Sequence, residues 1–354
     1  MNNDTSFLEL FPDELFLELF SFIKPIDLYR GFVNLNQRIN NILNDTHLCM
    51  HIINDVEHEV DQACMIYFAR QIIYLAIDCH FSTLSYDISL RSFVNLRSLH
   101  LPLPSVNQCL EITPNNLPYL TNLTINDKIF KSILCNLDPF PYLSTCCIPR
   151  VYPRNFSLME PSQLCLTIRS LNLCSCSINH LLDILAYLPN LNYLEIVVLP
   201  NKEIIRQCDI KHNNISHLKV KLRKLDPDLE ILLKSMPNIH RLEFLWHQAH
   251  QDYHGRKSFN FKRFSDILEK NPGSLKRIDI DIHVSKYDYD IDSIHNLNLQ
   301  WFSSLNKLLI FSDDSVLITT QRLSSNPQEK LITDLLQSSY MTERNARFKR
   351  IENL

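Results

Sequence analysis

Glycine is scarce in this sequence, since only Gly31, Gly255 and Gly273 occur among its 354 residues. Globular proteins use glycine at about 7% of positions. Phosphate-binding loops depend on glycine because the backbone must approach the ligand closely there. Neither the dinucleotide-binding spacing nor the P-loop spacing can be assembled from these three positions, which excludes both motifs.

The sequence also lacks an excess of basic charge and any long apolar run. The formal net charge is −4 and the sequence pI is about 6.4, whereas nucleic-acid-binding proteins generally carry a basic face. No run of about 18 uninterrupted apolar residues occurs, as a membrane-spanning helix requires. The first residues, Met1-Asn2-Asn3-Asp4, lack the basic region of a signal peptide. We therefore expect neither nucleic acid nor a membrane among the partners.

The cysteine content favours a reducing compartment. There are eleven cysteines, an odd number, and we expect no secretory leader. Disulfides are rare in cytosolic and nuclear proteins because thiols are kept reduced there. We expect free thiols and a cytoplasmic or nuclear location.

A hexad with apolar residues at its first, fourth and sixth positions recurs along the chain, as in Leu96-Arg97-Ser98-Leu99-His100-Leu101. The first positions of eight such hexads are Ile72, Leu96, Leu120, Leu143, Ile168, Leu191, Ile215 and Ile239. They are 23 to 25 residues apart, and two looser hexads begin at Leu275 and Leu305 after gaps of 36 and 30 residues. A regular period of this length indicates a repeat architecture.

Prolines mark the start of several hexads. They lie two residues before the first position at Pro118, Pro141, Pro189 and Pro237, and three residues before it at Pro272. Proline lacks an amide donor and disfavours helix in the residue before it, so it ends a helix. Apolar residues at helical spacing precede three of these prolines, within residues 181–188, 229–234 and 264–270. Each unit is therefore predicted to be a helix, a proline-marked turn and a strand.

This arrangement resembles the leucine-rich-repeat family over roughly residues 70–311. The resemblance implies an α/β fold: a horseshoe solenoid with a parallel sheet on its concave side and helices on its convex side. Residues 72–311 then form about ten irregular units of about 24 residues. The asparagine or cysteine that usually follows the strand in this family is mostly absent or displaced here.

Residues between the inward-facing hexad positions are expected to face the concave side, because side chains alternate along a strand. The candidate substrate-binding residues are Tyr193, Glu195, His217, Lys219, Lys221, Arg241, Glu243, Arg277, Asp279 and Asp281, here named the ladder face. Opposite charges on neighbouring strands could simply stabilise the sheet, at about 0.2–1 kcal/mol per pair. They could equally bind a partner of mixed charge, and the two interpretations are compatible.

Apolar residues near the N-terminus predict a first helix with a broad apolar side. That side comprises Leu15, Leu19, Phe22 and Ile23, with Phe16 and Phe20 beside them. Pro12 and the acidic residues after it suit the start of a helix, and Pro25 ends it. A small group of helices cannot bury such a broad apolar arc alone, so the repeats or another protein must cover the remainder.

Residues 7–46 resemble an F-box, and their position directly before leucine-rich repeats is typical of F-box receptors. The matching residues are Phe11-Pro12-Asp13-Glu14-Leu15, Leu19, Ile23 and Asp27-Leu28. The segment departs from the family pattern in two places. Phe11 replaces the usual leucine, and the late valine-cysteine-x-x-tryptophan region is approximated only by Val33, Leu35, Arg38 and Ile39.

The resemblance implies a substrate-recognition subunit of a cullin-type (SCF) ubiquitin ligase. The F-box would bind a Skp-family adaptor and, through it, the cullin, while the repeats would bind a protein substrate. The expected adaptor-binding residues are Phe11, Pro12, Glu14, Leu15, Leu19, Ile23 and Leu28. Such a receptor is not an enzyme and needs no cofactor. The alternative is a non-catalytic interaction scaffold whose N-terminal helices only cap the solenoid, since repeat arrays need capped ends.

The rest of the chain adds no catalytic or metal-binding motif. His247, His250 and His254 have helical spacing, but Gly255 and the lack of apolar periodicity favour a loop, so no metal site is predicted there. Residues 47–71 are predicted to form a linker helix. Residues 312–354 are predicted to form a C-terminal cap, with a helix at 328–336, followed by a frayed polar tail from residue 344.

Overall fold

A computed structural model describes most of the chain. The described residues are 11–53, 58–78, 88–134, 140–149, 164–199, 211–222, 228–247, 261–270, 274–285, 307–311, 315–319 and 349–351. The chain forms two compact units, the first containing residues 1–151 and 159–171 and the second containing residues 152–158 and 172–354. Among the described helices, none has the length and apolarity that crossing a membrane requires.

The first unit begins with three helices and continues with alternating strands and helices. Its elements are α1 (Asp13–Phe22), α2 (Pro25–Phe32), α3 (Gln37–Asp45), β1 (Leu48–Ile53), α4 (His58–Tyr67), β2 (Ile72–Asp78), a 3₁₀ turn (Leu90–Ser92), β3 (Ser98–His100), α5 (Val106–Glu111), β4 (Asn122–Thr124), α6 (Asp127–Leu134) and β5 (Thr145–Ile148). The strands from β1 to β5 lie side by side in chain order, each parallel to the next.

The second unit repeats the alternation and ends in antiparallel strands. Its elements are β6 (Ser170–Cys176, whose first two residues belong to the first unit), α7 (Ile178–Leu185), β7 (Tyr193–Val198), β8 (His217–Leu222), α8 (Asp228–Ser235), β9 (Arg241–His247), α9 (Phe261–Lys270), β10 (Arg277–Ser285), β11 (Lys307–Phe311), β12 (Ser315–Thr319) and β13 (Lys349–Ile351). The strands from β7 to β10 are parallel and in chain order. Both units therefore confirm the predicted α/β class.

The hexads build the core because their apolar positions line up between strands. In the second unit the fourth positions, Leu194, Leu218, Leu242 and Ile278, lie directly opposite one another and are buried. In the first unit the same position contains Leu75, Leu99, Leu123 and Cys146, also buried. A buried leucine stabilises a fold by about 1.5–3 kcal/mol. Repeating this burial in every unit makes the 24-residue period visible in the sequence.

Asparagines just before the hexads link successive units. The side-chain amide of Asn95 donates to the carbonyl oxygen of Arg70 at 2.8 Å. The same bond recurs from Asn214 to Pro189 at 2.7 Å and from Asn238 to Asn213 at 2.8 Å. These three bonds, here named the asparagine ladder, join units through residues that precede the strand.

The predicted linker helix of residues 47–71 is wrong in its first half, because residues 48–53 form strand β1 and only His58–Tyr67 are helical. Strand β1 pairs in parallel with β2, Leu48 opposite Ile72 and Met50 opposite Leu75. The pairing shifts by one residue after Leu48. Strand β1 is therefore a repeat unit with one residue fewer than the hexad, which is why the hexad pattern does not detect it.

The last predicted unit is also wrong as a parallel repeat. Strand β11, which contains most of the tenth hexad, runs antiparallel to β12, and β12 lies between β11 and β10. Only residues 312–314 connect β11 to β12, and a link this short makes an antiparallel pair, whereas a parallel crossover needs a dozen residues or more.

The C-terminal tail is only partly described. Lys349–Ile351 form strand β13 on the edge of β11, so this part of the tail is not frayed as predicted. Pairing with β13 covers backbone groups that an edge strand would otherwise leave open. The capping helix predicted at residues 328–336 lies outside the described residues.

Candidate functional site

The first candidate surface lies on α1, which has two apolar sides. Phe16 and Phe20 are fully buried, and the ring of Phe20 packs against that of Phe32 from α2 at 5.0 Å between centroids. Asp13 and Glu14 occupy the first turn of the helix, where negative charges stabilise a helix by interacting with the positive end of its dipole. The buried phenylalanines hold the opposite side of α1 outward.

The outer face of α1 is apolar and exposed. It consists of Phe11, Leu15, Leu19 and Phe22, whose exposed fractions are 48%, 49%, 45% and 80%. Contiguous exposed apolar side chains of this size usually mark an interaction site. The helical spacing of the sequence placed Phe22 on the apolar side of the helix, but Phe22 was not among the expected adaptor contacts.

The other expected adaptor-binding residues differ in exposure. Pro12 and Glu14 are exposed beside the outer face, and Ile23 is half-buried. Leu28 is fully buried in α2. Leu28 therefore holds the helices together and is not available as a direct contact, which corrects its inclusion among the adaptor-binding residues.

Arg38 fixes the start of α1 from α3. Its Nε donates to Oδ1 of Asp13 at 2.8 Å, and its Nη2 donates to the same oxygen and to the carbonyl oxygen of Phe11. Its guanidinium also lies over the ring of Phe16, 5.7 Å from the centroid. The backbone at the edge of the outer face is thereby held in place, a role that the sequence did not reveal.

Helix α2 joins the N-terminal helices to the first strand. It packs against α4 and β1, and Tyr29 makes edge-on ring contacts with Tyr67 at 5.7 Å and with Phe68 at 6.4 Å. Strand β1 carries buried side chains at Leu48 and Met50. The helices therefore do cover the first repeat, while the outer face of α1 remains uncovered among the described residues.

The second candidate surface is the ladder face, which the structure assembles across β7, β8, β9 and β10. One row contains Tyr193, His217, Arg241 and Arg277, and the next row contains Glu195, Lys219, Glu243 and Asp279. Adjacent strands lie about 4.8 Å apart, so the long side chains of one row can reach their neighbours.

Asp279 and Glu243 each accept hydrogen bonds from two basic side chains. Arg241 donates through Nε to Oδ2 of Asp279 at 3.0 Å, and its Nη2 lies 2.7 Å from Oε1 of Glu243. Nε of Arg277 lies 2.9 Å from Oδ2 of Asp279. Nε2 of His217 lies 2.9 Å from Oε1 of Glu243. Arg241 therefore bridges the two carboxylates and ties β9 to β10.

Glu195 accepts three further hydrogen bonds at the other end of the row. Lys219 Nζ lies 2.7 Å from Oε1, while Asn172 Nδ2 and the Tyr193 hydroxyl donate to Oε2 at 3.0 and 3.2 Å. Burial, then the charge and hydrogen bond of Glu195, raise the pKa of Tyr193 to about 12. The hydroxyl therefore stays protonated at neutral pH and continues to donate.

Glu243 and Asp279 are less exposed than the arginines that contact them, whereas Glu195 is about as exposed as Lys219. The exposed fractions of the side chains are 60% for Arg277, 39% for Arg241 and 32% for Lys219, against 28% for Glu195, 16% for Glu243 and 5% for Asp279. The oppositely charged side chains on neighbouring strands therefore do form ion pairs across the sheet. The groups of the ladder face that are most exposed to solvent are basic.

The third row of the ladder face contains Lys221 and Asp281, in register on either side of Leu245. Lys221 is half-exposed and has no ion-pair partner among the described side chains. The side chain of Asp281 lies outside the described part of the chain. Lys221 is therefore a cation of the ladder face that no described carboxylate neutralises.

No metal centre is found in the described part of the chain. His250 and His254 lie outside it, as does the side chain of His247. Burial raises the pKa of the Cys146 thiol, and burial followed by the charge of Asp183 raises that of Cys176 to about 12. These two thiols stay protonated and pack as small apolar side chains.

Comparison with known proteins adds no family assignment to this geometry. The F-box and leucine-rich-repeat resemblances are based on the sequence motifs alone. No protein-family model matches the chain, and no curated protein matches it.

Proposed function

We propose that this protein is the substrate-recognition subunit of a cullin-type (SCF) ubiquitin ligase, acting in the cytoplasm or nucleus. Its F-box-like helices would bind a Skp-family adaptor, and its repeats would bind a protein substrate through the ladder face. The single observation that carries the proposal is the outer face of α1, where large apolar side chains stay exposed immediately before a series of repeat units.

The packing beneath the outer face supports adaptor binding. Phe16 and Phe20 anchor α1 to its neighbours, and Arg38 holds the backbone at Phe11. A surface that is already ordered loses little conformational entropy when it binds, so more of the contact energy appears as affinity. Burying Leu15, Leu19 and Phe22 against an apolar partner would also remove a large apolar area from water.

The proposed receptor contributes no chemistry of its own. It would hold a substrate near a ubiquitin-conjugating enzyme that the cullin carries, which raises the effective concentration of a target lysine. Orientation of the lysine would add to the rate for the same reason that intramolecular reactions are fast.

A second function is favoured by the packing of α2 on α4 and β1. The buried Leu28 and the ring contacts of Tyr29 are what a cap on the first repeat needs. In that case the protein is an interaction scaffold without an adaptor, and the outer face of α1 has another partner or none.

Co-capture with a Skp-family adaptor tests the proposal. The full chain is co-expressed with the adaptor, one partner is captured, and the amount of the other is measured for the wild type and for Leu15→Asp/Leu19→Asp. These leucines are about half-exposed, so the charges should leave the fold intact while preventing burial against an apolar partner. Leu110→Asp is the matched control, because Leu110 is an exposed leucine on α5.

We expect the wild type and Leu110→Asp to bind the adaptor, and Leu15→Asp/Leu19→Asp to lose at least about tenfold in affinity. Circular dichroism confirms that each variant is folded. A folded wild type that captures no adaptor contradicts the ligase proposal and leaves the scaffold. Equal capture by all three chains shows that α1 is not the adaptor surface.

A further inference from the structure

We infer that the ladder face binds an extended acidic segment of a partner protein, whose carboxylates accept hydrogen bonds from Lys221, Arg241 and Arg277. This inference deepens the proposed function, because it names the chemical class of the substrate segment. It depends on the ladder face alone and not on the outer face of α1.

The described acidic groups of the ladder face, Glu195, Glu243 and Asp279, already accept hydrogen bonds from neighbouring side chains. Asp279 accepts from two arginines, Glu243 from His217 and Arg241, and Glu195 from three donors. Asp279 is also 5% exposed, so a partner cation could not reach it. A basic partner would therefore meet no available carboxylate among the described side chains.

The basic groups retain donors that are not used. Arg277 contacts Asp279 only through Nε, which leaves both of its Nη groups without a described partner. Arg241 uses Nε and Nη2 and leaves Nη1. A guanidinium carries five N–H donors in a fixed fork that matches a carboxylate. The unused donors can therefore bond to acceptor oxygens of a partner in place of water.

The underlying carboxylates also hold the arginines in position. Arg241 is fixed by Asp279 and Glu243 together, and Arg277 is fixed by Asp279. Side chains that are already ordered lose less rotamer freedom on binding. Hydrogen bonds between charged groups are about twice as strong as those between neutral groups. The face is therefore organised for an anionic ligand before the ligand arrives.

The spacing favours a peptide in extended conformation. Arg241 and Arg277 lie opposite each other on β9 and β10, about 4.8 Å apart, whereas Lys221 on β8 lies four residues further along the strand direction, about 13 Å from their row. Alternate side chains of an extended peptide are about 7 Å apart on one side. Two or three acidic residues at alternate positions can therefore meet Lys221, Arg241 and Arg277.

Nucleic acid fits the same face poorly. Its closely spaced phosphates require a continuous basic surface, whereas each arginine here has a carboxylate two residues further along its own strand, Glu243 after Arg241 and Asp279 after Arg277. The chain as a whole has a net charge of −4, which does not attract a polyanion over a distance. Discrete carboxylates on a peptide match the alternation better.

Fluorescence anisotropy with the full chain alone tests the inference, so adaptor binding plays no part in the result. The probe is a short labelled peptide with aspartate at alternate positions, compared with the same peptide carrying asparagine and with a labelled oligothymidylate. The variants are Lys221→Gln and Arg277→Gln. Lys276→Gln is the matched control, because it removes the same charge next to Arg277 but outside the ladder face.

We expect the wild type and Lys276→Gln to bind the aspartate peptide, the asparagine peptide to bind weakly, and each ladder-face variant to bind about tenfold more weakly. The inference is overturned if the wild type does not prefer aspartate, if the ladder-face variants match Lys276→Gln, or if the oligonucleotide binds as tightly as the peptide. A failed adaptor capture would leave this result unchanged, and a failed peptide titration would leave the adaptor proposal unchanged.

Discussion

At the scale of single residues, Tyr193 shows how the ladder face sets the chemistry of one group. Its ring meets the ring of His217 edge-on at 4.7 Å, and its hydroxyl donates to Glu195. Ionising this hydroxyl would place a negative charge beside an existing carboxylate in a partly buried site. The pKa of Tyr193 is therefore raised to about 12 by burial and by Glu195.

The raised pKa of Tyr193 makes the free energy of unfolding decrease at high pH. Because its pKa of about 12 in the folded state exceeds the value of about 10 in an unfolded chain, the folded state holds the proton more tightly. The stabilisation that comes from this tighter proton binding is fully present below about pH 10 and is lost as the pH rises towards 12. We expect the urea midpoint of the wild type to fall more than that of Tyr193→Phe between about pH 9 and about pH 11.

Equal decreases in the two midpoints would contradict this account of Tyr193. The comparison with phenylalanine cancels the titration of the other basic and phenolic groups, because only one hydroxyl differs between the proteins. The ring contact with His217 is kept in the variant, so the difference reports the hydroxyl alone.

At the scale of structural elements, the hydrogen bonds of the asparagine ladder join successive units. Asn238→Ala removes the bond to the carbonyl oxygen of Asn213. We expect a loss of about 0.5–1 kcal/mol in the free energy of unfolding, in the lower part of the range for one hydrogen bond within a protein, because this bond is exposed. Urea denaturation followed by circular dichroism measures it.

Asn213→Ala is the matched control for this prediction. Asn213 is exposed, and it contributes its backbone carbonyl, which alanine retains. We expect the control to change the unfolding free energy by less than about 0.5 kcal/mol, as surface substitutions usually do. An Asn238→Ala variant as stable as this control would show that the ladder bond does not join the units.

The strands and the proline-marked helices were predictable because their signals are local. The hexads predicted strands at β2 to β10, and the apolar spacing predicted α7, α8 and α9. Strand β1 was missed because its pairing shifts after Leu48 and removes one residue from the pattern. Helix α5 has only six residues and exposes Val106 and Leu110, so it lacks the buried stripe that reveals a helix.

At the scale of the whole molecule, the N-terminal helices have two separable roles. Deleting residues 1–46 would uncover α4 and β1, which α2 covers. We expect the truncated chain to bind more of a hydrophobic dye and to aggregate, because buried apolar surface becomes exposed. Analytical sedimentation measures the aggregation. Leu15→Asp/Leu19→Asp keeps the helices and should bind no more dye than the wild type.

A truncated chain that stays monomeric and binds no extra dye would contradict the capping role. In that case the scaffold interpretation would lose its main support, and the helices would be left with adaptor binding as their function. If the truncation aggregates while the double variant only loses adaptor binding, both roles apply to the same helices.

The sequence predicted most of the residues of the two candidate surfaces, but it did not predict which of them are exposed or which contacts they make. Alternation along the strands identified the ladder face, and the motif identified most of the outer face of α1. Leu28 was misassigned because a motif does not distinguish a contact residue from a core residue. The role of Arg38 was missed because its partners, Asp13 and the Phe11 carbonyl, are distant in sequence.

The sequence by itself determined the period of the repeats, the position of most strands and the α/β class, because burial at alternate and regularly spaced positions leaves a local pattern. Tertiary structure alone decided which groups face outward. Asp279 is covered while Arg277 is exposed, although both are charged and alternate on one strand. Tertiary structure also decided that β12 lies between β10 and β11, because strand pairing depends on the approach of distant segments and on the short connection between β11 and β12.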